Sequence, residues 1–315
     1  MYRIGIDLGG TNIAAGIVDE EGKLIYKDSI PTYKERESEA IVIDMAKLAL
    51  KIIEDKNISI DEIISIGVGC PGTPDSKNGI LVYNNNLNFN NVPIRGIIQR
   101  YIDKPVYISN DANCAALGEV VAGGAKGVAN AIMITLGTGV GGGIVINHKI
   151  YDGFNNAGGE LGHMVVVIDG EPCTCGRKGC LEAYASATAL INQTIRAAKE
   201  NPESVINTLV EGDYSKVNGK TAFDAMRAGD ETGIKVVNQY IKYLAEGVLN
   251  FINIFQPEVL LVGGGICKEG DTLFNPIREM MEEHTYSKDK SKQTKIMRAV
   301  LGNDAGIIGA AMLDE

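Results

Sequence analysis

The sequence predicts an α/β protein built from two related domains that face each other across a cleft. Three observations carry this expectation. At 315 residues the chain is too long for one small core. Apolar runs of strand length alternate with stretches of helical periodicity. A short apolar run that breaks into a Gly-rich turn and then resumes occurs twice, Leu8-Gly9 matching Leu136-Gly137 and Gly16-Ile17-Val18 matching Gly143-Ile144-Val145.

Taken in order, residues 3–8 (RIGIDL) and 13–18 (IAAGIV) read as strands joined by the first Gly turn, and 23–30 (KLIYKDSI) reads as a third. Residues 38–56 carry Ile41, Met45, Leu48 and Ile52 at helical spacing. Residues 63–72 (IISIGVGCPG) predict a buried strand running into a Gly/Pro loop, followed by an Asn-rich stretch over 82–91. A helix is expected over 94–102 and a strand over 105–110, and Asp111 opens a helix reaching about residue 120. Residues 131–146 repeat the strand, Gly turn and strand. Helices are expected over roughly 184–200, 221–228 and 230–254. Residues 259–266 (VLLVGGGI) give a third strand ending in glycines, and 306–313 read as a closing helix.

Composition narrows the function classes. A net charge of −10 argues against nucleic-acid or anionic-membrane partners. No apolar run is long enough to span a bilayer, and the first residues read as a strand rather than a targeting peptide, so a cytoplasmic protein is expected. Cys70, Cys114 and Cys267 lie in apolar or Gly-rich surroundings and read as buried free thiols.

Backbone N–H groups in glycine turns can cradle phosphate oxygens with no side chain in the way. Gly9, Gly10, Thr11 and Asn12 form one candidate cradle, and Gly137, Thr138 and Gly139 an opposing one. The third turn, Gly263, Gly264 and Gly265, suits a flat adenine or its ribose. The absence of GxxxxGK[ST] excludes a P-loop, and DLGGTN is not the dinucleotide fingerprint. Asp7, just before the first cradle, would repel phosphates unless a cation intervened, which points to Mg²⁺ held through water; it could equally cap its own turn. Asp111 follows a strand and opens a helix between Asn110 and Asn113, the place for a general base or for a simple helix cap. The helix N-terminus is expected to keep its pKa low.

The densest chemistry lies between Gly158 and Glu182. His163, Cys173, Cys175 and Cys180 offer one imidazole and three thiolates, a set suited to tetrahedral zinc, and four protein ligands make the site structural. Gly176 and Gly179 allow the chain to fold back around the metal. Glu160 and Glu182 flank the cluster, and with His163 they are expected to surround a small polar ligand.

Together DLGGTN, NDAN, LGTGVGGG, ELGH and CTCGRKGCLE make the chain resemble the ROK (repressor, open reading frame, kinase) family of sugar kinases, with Gly139, Gly141, Gly143, Gly153, Gly159, Gly162 and His163 in register. The resemblance covers essentially the whole chain. It implies the two-domain actin-like ATPase fold (hexokinase/Hsp70-like, ribonuclease H-like). Residues 1–112 plus about 302–315 would form the small domain, and 113–301 the large one with a zinc-binding loop at 163–180.

By the same resemblance the sugar lies on Asn110, Asp111, Glu160, His163 and Glu182, with Asn86 and the Pro71-Gly72 loop adding contacts and Asp111 as base. His163, Cys173, Cys175 and Cys180 would hold zinc. Where many family glucokinases read Asn-Leu-Gly-Trp, this chain has Asn86-Leu87-Asn88-Phe89. The family's repressors carry an N-terminal helix-turn-helix, for which a first Gly turn at residue 9 leaves no room. The implied activity is ATP- and Mg²⁺-dependent phosphorylation of a hexose, glucose first, in a homodimer or higher oligomer. N-acetylmannosamine, N-acetylglucosamine, mannose, fructose or allose are the alternative acceptors, and a non-catalytic sugar sensor is the alternative class. Polyphosphate is a possible second donor, although Lys126, Lys149 and Lys178 are scattered rather than arranged as a polyanion track.

Overall fold

The computed structural model describes residues 1–84 and 87–314. In chain order the strands are β1 (Tyr2–Leu8), β2 (Asn12–Asp19), β3 (Leu24–Pro31), β4 (Ile63–Cys70), β5 (Thr73–Asp75), β6 (Ile80–Tyr83), β7 (Asn90–Val92), β8 (Val106–Asn110), β9 (Ala131–Leu136), β10 (Val140–Ile146), β11 (Lys149–Ile150), β12 (Val259–Gly264) and β13 (Lys295–Arg298). The helices are α1 (Ser38–Asp55), α2 (Ile94–Gln99), α3 (Asp111–Ala122), α4 (Glu182–Ala185), α5 (Ala187–Glu200), α6 (Val205–Leu209), α7 (Thr221–Arg227), α8 (Glu231–Phe255), α9 (Asp271–His284) and α10 (Asp304–Ala311). Among the described residues no helix is long and apolar enough to cross a membrane.

Two compact units emerge. The first comprises Met1–Met133, Gly143–Gly159 and Ala299–Glu315, the second Ile134–Gly142 and Glu160–Arg298. The sequence reading drew the division at residue 112. In the structure α3 packs along α10, so the first unit runs on past that helix to Met133.

The first unit is organised on a sheet of order β3-β2-β1-β4-β8. β1 pairs antiparallel with β2 and parallel with β4, and β4 pairs parallel with β8. Ile4, Ile6, Leu8, Ile13 and Ile17 are wholly buried, and α1 closes the core with Ile41, Met45, Leu48 and Ile52, the residues its periodicity singled out. Each such side chain contributes roughly 1.5–3 kcal/mol by leaving water. Glycine decides how α10 docks. Gly5 and Gly67 are register partners on β1 and β4. A Cβ on Gly5 would fall 1.8 Å from the Ile307 carbonyl oxygen, and one on Gly67 would fall 1.6 Å from that of Ala310. A Cβ on Gly309 would likewise strike the Cys114 carbonyl at 1.7 Å. The helix therefore lies backbone to backbone on the sheet and on α3, a packing open only to glycine.

The other large sheet has the order β11-β10-β9-β12-β13, with β12 and β13 parallel. In the second unit α8 buries Tyr240, Leu244, Val248, Phe251 and Ile252, and the Tyr240 hydroxyl donates to the Ala185 carbonyl at 2.8 Å. The helix expected over 184–200 is two helices. Ser186, in extended conformation, ends α4 and caps α5 by accepting from the Ala189 N–H at 3.0 Å. Helix α9 and strand β13 had no counterpart in the sequence reading. Leu273, Phe274, Ile277 and Met281 do carry the helical spacing of α9, and all four are buried. Cys70, Cys114 and Cys267 are free, buried thiols as expected, and burial pushes the Cys267 pKa up to about 12.

Candidate active site

In the first unit the turn Gly9–Thr11 joins β1 to β2. The Gly9 N–H donates to the Asn12 carbonyl at 3.0 Å, while Thr32 donates its hydroxyl to the Gly9 carbonyl at 2.7 Å and its N–H to the Thr11 carbonyl at 2.8 Å. Thr32 is completely buried, and sequence reasoning passed over it. At Gly10 a Cβ would meet nothing within 4 Å, and φ there is not positive. Neither the protein's own packing nor its backbone requires glycine at this position. A molecule approaching the backbone from outside would.

Asp7 and Asp111 belong to the same unit, and Asp7 feels the charge of Asp111. Burial, and then the negative charge of Asp111, raises the Asp7 pKa to about 6. The Asp7 carboxylate lies against α10, where a Cβ on Gly306 would stand 3.0 Å from Oδ2. Asp111 is the first residue of α3, and Asn110 is the cap, its Oδ1 accepting from the N–H groups of Ala112 at 2.9 Å and Asn113 at 3.4 Å. Asp111 Oδ1 also accepts from the Ala112 N–H at 2.9 Å.

The expectation of a low Asp111 pKa is corrected here. Burial raises it, and outweighs the backbone N–H groups that pull it down, because the side chain loses more solvation than two amides replace. Asn110 also donates Nδ2 to the Gly72 carbonyl at 3.1 Å, which joins two of the residues expected at the sugar. Gly72 has φ +94, and a Cβ there would lie 2.1 Å from the Tyr83 carbonyl. Asn86 lies outside the described residues.

The second unit holds the metal candidates, the acids beside them and the other two turns. The donor atoms of His163, Cys173, Cys175 and Cys180 all lie within 4.8 Å of one another. His163 Nδ1 is 3.5 Å from Cys173 Sγ, and Cys175 Sγ is 3.7 Å from Cys180 Sγ. A tetrahedral zinc with Zn–S bonds of about 2.3 Å demands ligand separations of about 3.5–3.8 Å, so these four residues fit that ion. The Cys175 thiol is held below its usual pKa, chiefly by the Arg177 backbone N–H. Gly176 and Gly179 take φ +88 and +78, as the fold-back required, and a Cβ on Gly179 would lie 1.6 Å from the Val167 carbonyl.

Glu160 is exposed at the entry to the short helical turn bearing His163. Glu182, the first residue of α4, is engaged at both oxygens. Oε2 accepts from the Val140 N–H at 3.0 Å, and Oε1 accepts from the Thr174 hydroxyl at 3.0 Å and lies 3.6 Å from Cys173 Sγ. The turn Gly137–Gly139 is closed by a bond from the Gly137 N–H to the Gly139 carbonyl at 3.0 Å, and the Ala187 N–H donates to the Gly137 carbonyl at 2.9 Å. Gly264, φ +100, fits where a Cβ would lie 2.2 Å from the Leu136 carbonyl, which sets the third turn beside the strand end that leads into the second. The role of Thr174 was missed from sequence. Its only signal was a hydroxyl placed between two metal-ligand cysteines.

The family model described as the ROK family matches residues 3–315. This chain belongs to the ROK family. Among curated ROK relatives it is 36% identical to a glucokinase of Halalkalibacterium halodurans, over 99% of this chain and 94% of that one. It is also 36% identical to a glucokinase of Thermotoga maritima, over 98% and 96%. The ROK glucokinase of Streptomyces griseus, solved with glucose and AMPPNP, superposes with a TM-score of 0.78 at 32% identity, over 99% of this chain and 98% of that one. The fold is accordingly the actin-like ATPase fold of ROK sugar kinases.

Proposed function

We propose that this chain is an ATP-dependent hexose kinase that transfers the γ-phosphoryl group of ATP to the 6-hydroxyl of glucose. Relatives named glucokinase match nearly the whole chain, and a solved ROK neighbour holds glucose with an ATP analogue. The observation that carries the chemistry is Asp111, a buried carboxylate with a raised pKa at the start of α3, beside its cap Asn110. Such a group is a stronger base than a solvated aspartate, and its value is shifted toward neutral pH, where general-base catalysis is most effective.

In this reading Asp111 accepts the proton of the sugar hydroxyl as the bond to phosphorus forms. Asn110, already fixed by its cap and by Gly72, keeps one amide N–H for a sugar oxygen. Gly72, Asn86, Glu160 and Glu182 complete the sugar side. His163, with Nδ1 turned to the cysteines, presents Nε2–H to a hydroxyl. Gly9, Gly10, Thr11 and Asn12, with Gly137, Thr138 and Gly139, take the phosphates, and Gly263, Gly264 and Gly265 take the adenosine. Asp7 would hold Mg²⁺ through water, which supplies charge neutralisation on the transferring group. His163, Cys173, Cys175 and Cys180 would hold zinc, whose contribution is structural. The enzyme would be cytoplasmic and act as a homodimer or higher oligomer.

The test is ADP release with a panel of hexoses and N-acetylhexosamines. Glucose should give the highest kcat/KM, and Asp111→Asn should lower turnover by at least about 10² while glucose still binds. Turnover of the variant within a few-fold of the wild type removes the base assignment. A different preferred sugar removes glucose, and binding without ADP release makes the protein a sensor.

A further inference from the structure

Glu182, placed above on the sugar side, also engages both of its oxygens with the protein, and each keeps a lone pair for a hydroxyl. Oε2 lies at the end of the turn Gly137–Gly139, on the Val140 N–H at 3.0 Å. A Cβ on Gly139 would sit 2.2 Å from that same oxygen, so glycine at 139 is what admits the carboxylate. Oε1 lies on the metal knuckle, accepting from Thr174, which stands between the ligands Cys173 and Cys175. The carboxylate thus spans two segments more than thirty residues apart in sequence, one expected to hold a metal and the other a nucleotide phosphate. The Gly137 and Val140 amides are engaged within the protein, so Thr138 and Gly139 are the members of the turn that would receive a phosphate.

We propose that Glu182 is a positioning residue for the nucleotide, and that through Thr174 it links metal occupancy of the knuckle to nucleotide binding at the Gly137–Gly139 turn. This rests on the reading of that turn as a phosphate cradle. Thr174 is flanked on both sides by the candidate ligands Cys173 and Cys175, so a metal held by the two would fix the hydroxyl that donates to Oε1. Loss of the metal would free the segment that carries Thr174, weaken the Oε1 anchor and so loosen the Val140 end of the turn. Linkage is reciprocal: a nucleotide that binds the braced turn must tighten metal retention by the same factor that the metal tightens nucleotide binding.

The experiment follows zinc transfer from the full-length protein to a chromogenic chelator, with and without saturating non-hydrolysable ATP analogue. Direct binding of the analogue is measured in parallel. In the wild type the analogue should lower the apparent zinc dissociation constant by at least about 5-fold, the lower end of ordinary allosteric coupling. Thr174→Val should reduce that factor to within about 2-fold of unity, Thr174→Ser should restore it, and Glu182→Gln should weaken it. Thr174 is solvent-exposed, so the first of these variants removes a hydroxyl without opening the core. Wild-type linkage in Thr174→Val, or analogue binding to wild type with no effect on zinc, overturns the proposal and leaves the kinase reading standing. A wild type that binds no analogue overturns both.

Discussion

The two glycine turns look alike in sequence and are held in different ways. Each has three residues, Gly9–Thr11 and Gly137–Gly139, so the one-residue offset between the repeats falls in the second strand of each pair. The first turn is braced from its own sheet, by the hydroxyl and N–H of buried Thr32 just beyond β3. The second is braced from far along the chain, by the Ala187 N–H and by the charged carboxylate of Glu182, which also touches the metal knuckle. One turn is thus held from within its own sheet. The other is held from α4, α5 and, through Glu182, from Thr174.

Removing the metal should separate the two most sharply. Structural zinc contributes on the order of 10 kcal/mol in small metal domains. Chelation or Cys175→Ser should therefore lower the melting temperature, with hydrogen-exchange protection lost across residues 160–187 and at Val140 but retained at Gly9 and Asn12. Unchanged melting, or equal loss at both turns, would break the contrast.

The next largest effect concerns the acid beside the first turn. The folded pKa of Asp7 is about 6, above its ordinary value of 3.8, so the folded state holds the extra proton between those values. Its favourable contribution is complete below about pH 4 and is lost as pH rises through 6. A shift of roughly two units corresponds to about 3 kcal/mol at most. Asp7→Asn should accordingly raise the melting temperature of the ligand-free protein at pH 7.5, add nothing at pH 4, and abolish Mg²⁺-dependent turnover. Thermal melts at the two pH values decide it: equal melting of variant and wild type at pH 7.5 removes the buried-charge account.

Thr32→Val should have the smallest effect. Losing one hydroxyl donor costs about 1 kcal/mol, and a few-fold rise in nucleotide KM should accompany it while zinc retention stays as in the wild type. A change in zinc retention would show that the turns are not independently braced.

Much of this was legible beforehand because it rests on local chemistry. The four candidate ligands, the paired glycine turns and the position of Asp111 depend on residue type and spacing, and the structure brings the donor atoms of the four within 4.8 Å of one another. What could not be read depends on packing between distant segments. Nothing local distinguishes Thr32 from any other threonine, and the engagement of both Glu182 oxygens requires knowing that Val140 and Thr174 meet. The direction of the Asp111 pKa failed for the same reason. The helix N-terminus is visible in the sequence, but the burial that outweighs it is not.

The glycine-lined seat of α10 bears on how the chain is made. Helix α3, which carries Asp111, lies directly against α10, and Gly118 and Gly309 let the two backbones touch. A ribosome releases Asp111 long before residues 304–311, and at roughly 5–20 residues per second that helix waits many seconds for its partner. Throughout that interval the first unit has an open groove on its sheet, and the second is itself complete only at Arg298. A nascent chain stalled or cut before α10 would carry Asp111 on α3, yet lack the helix against which α3 packs.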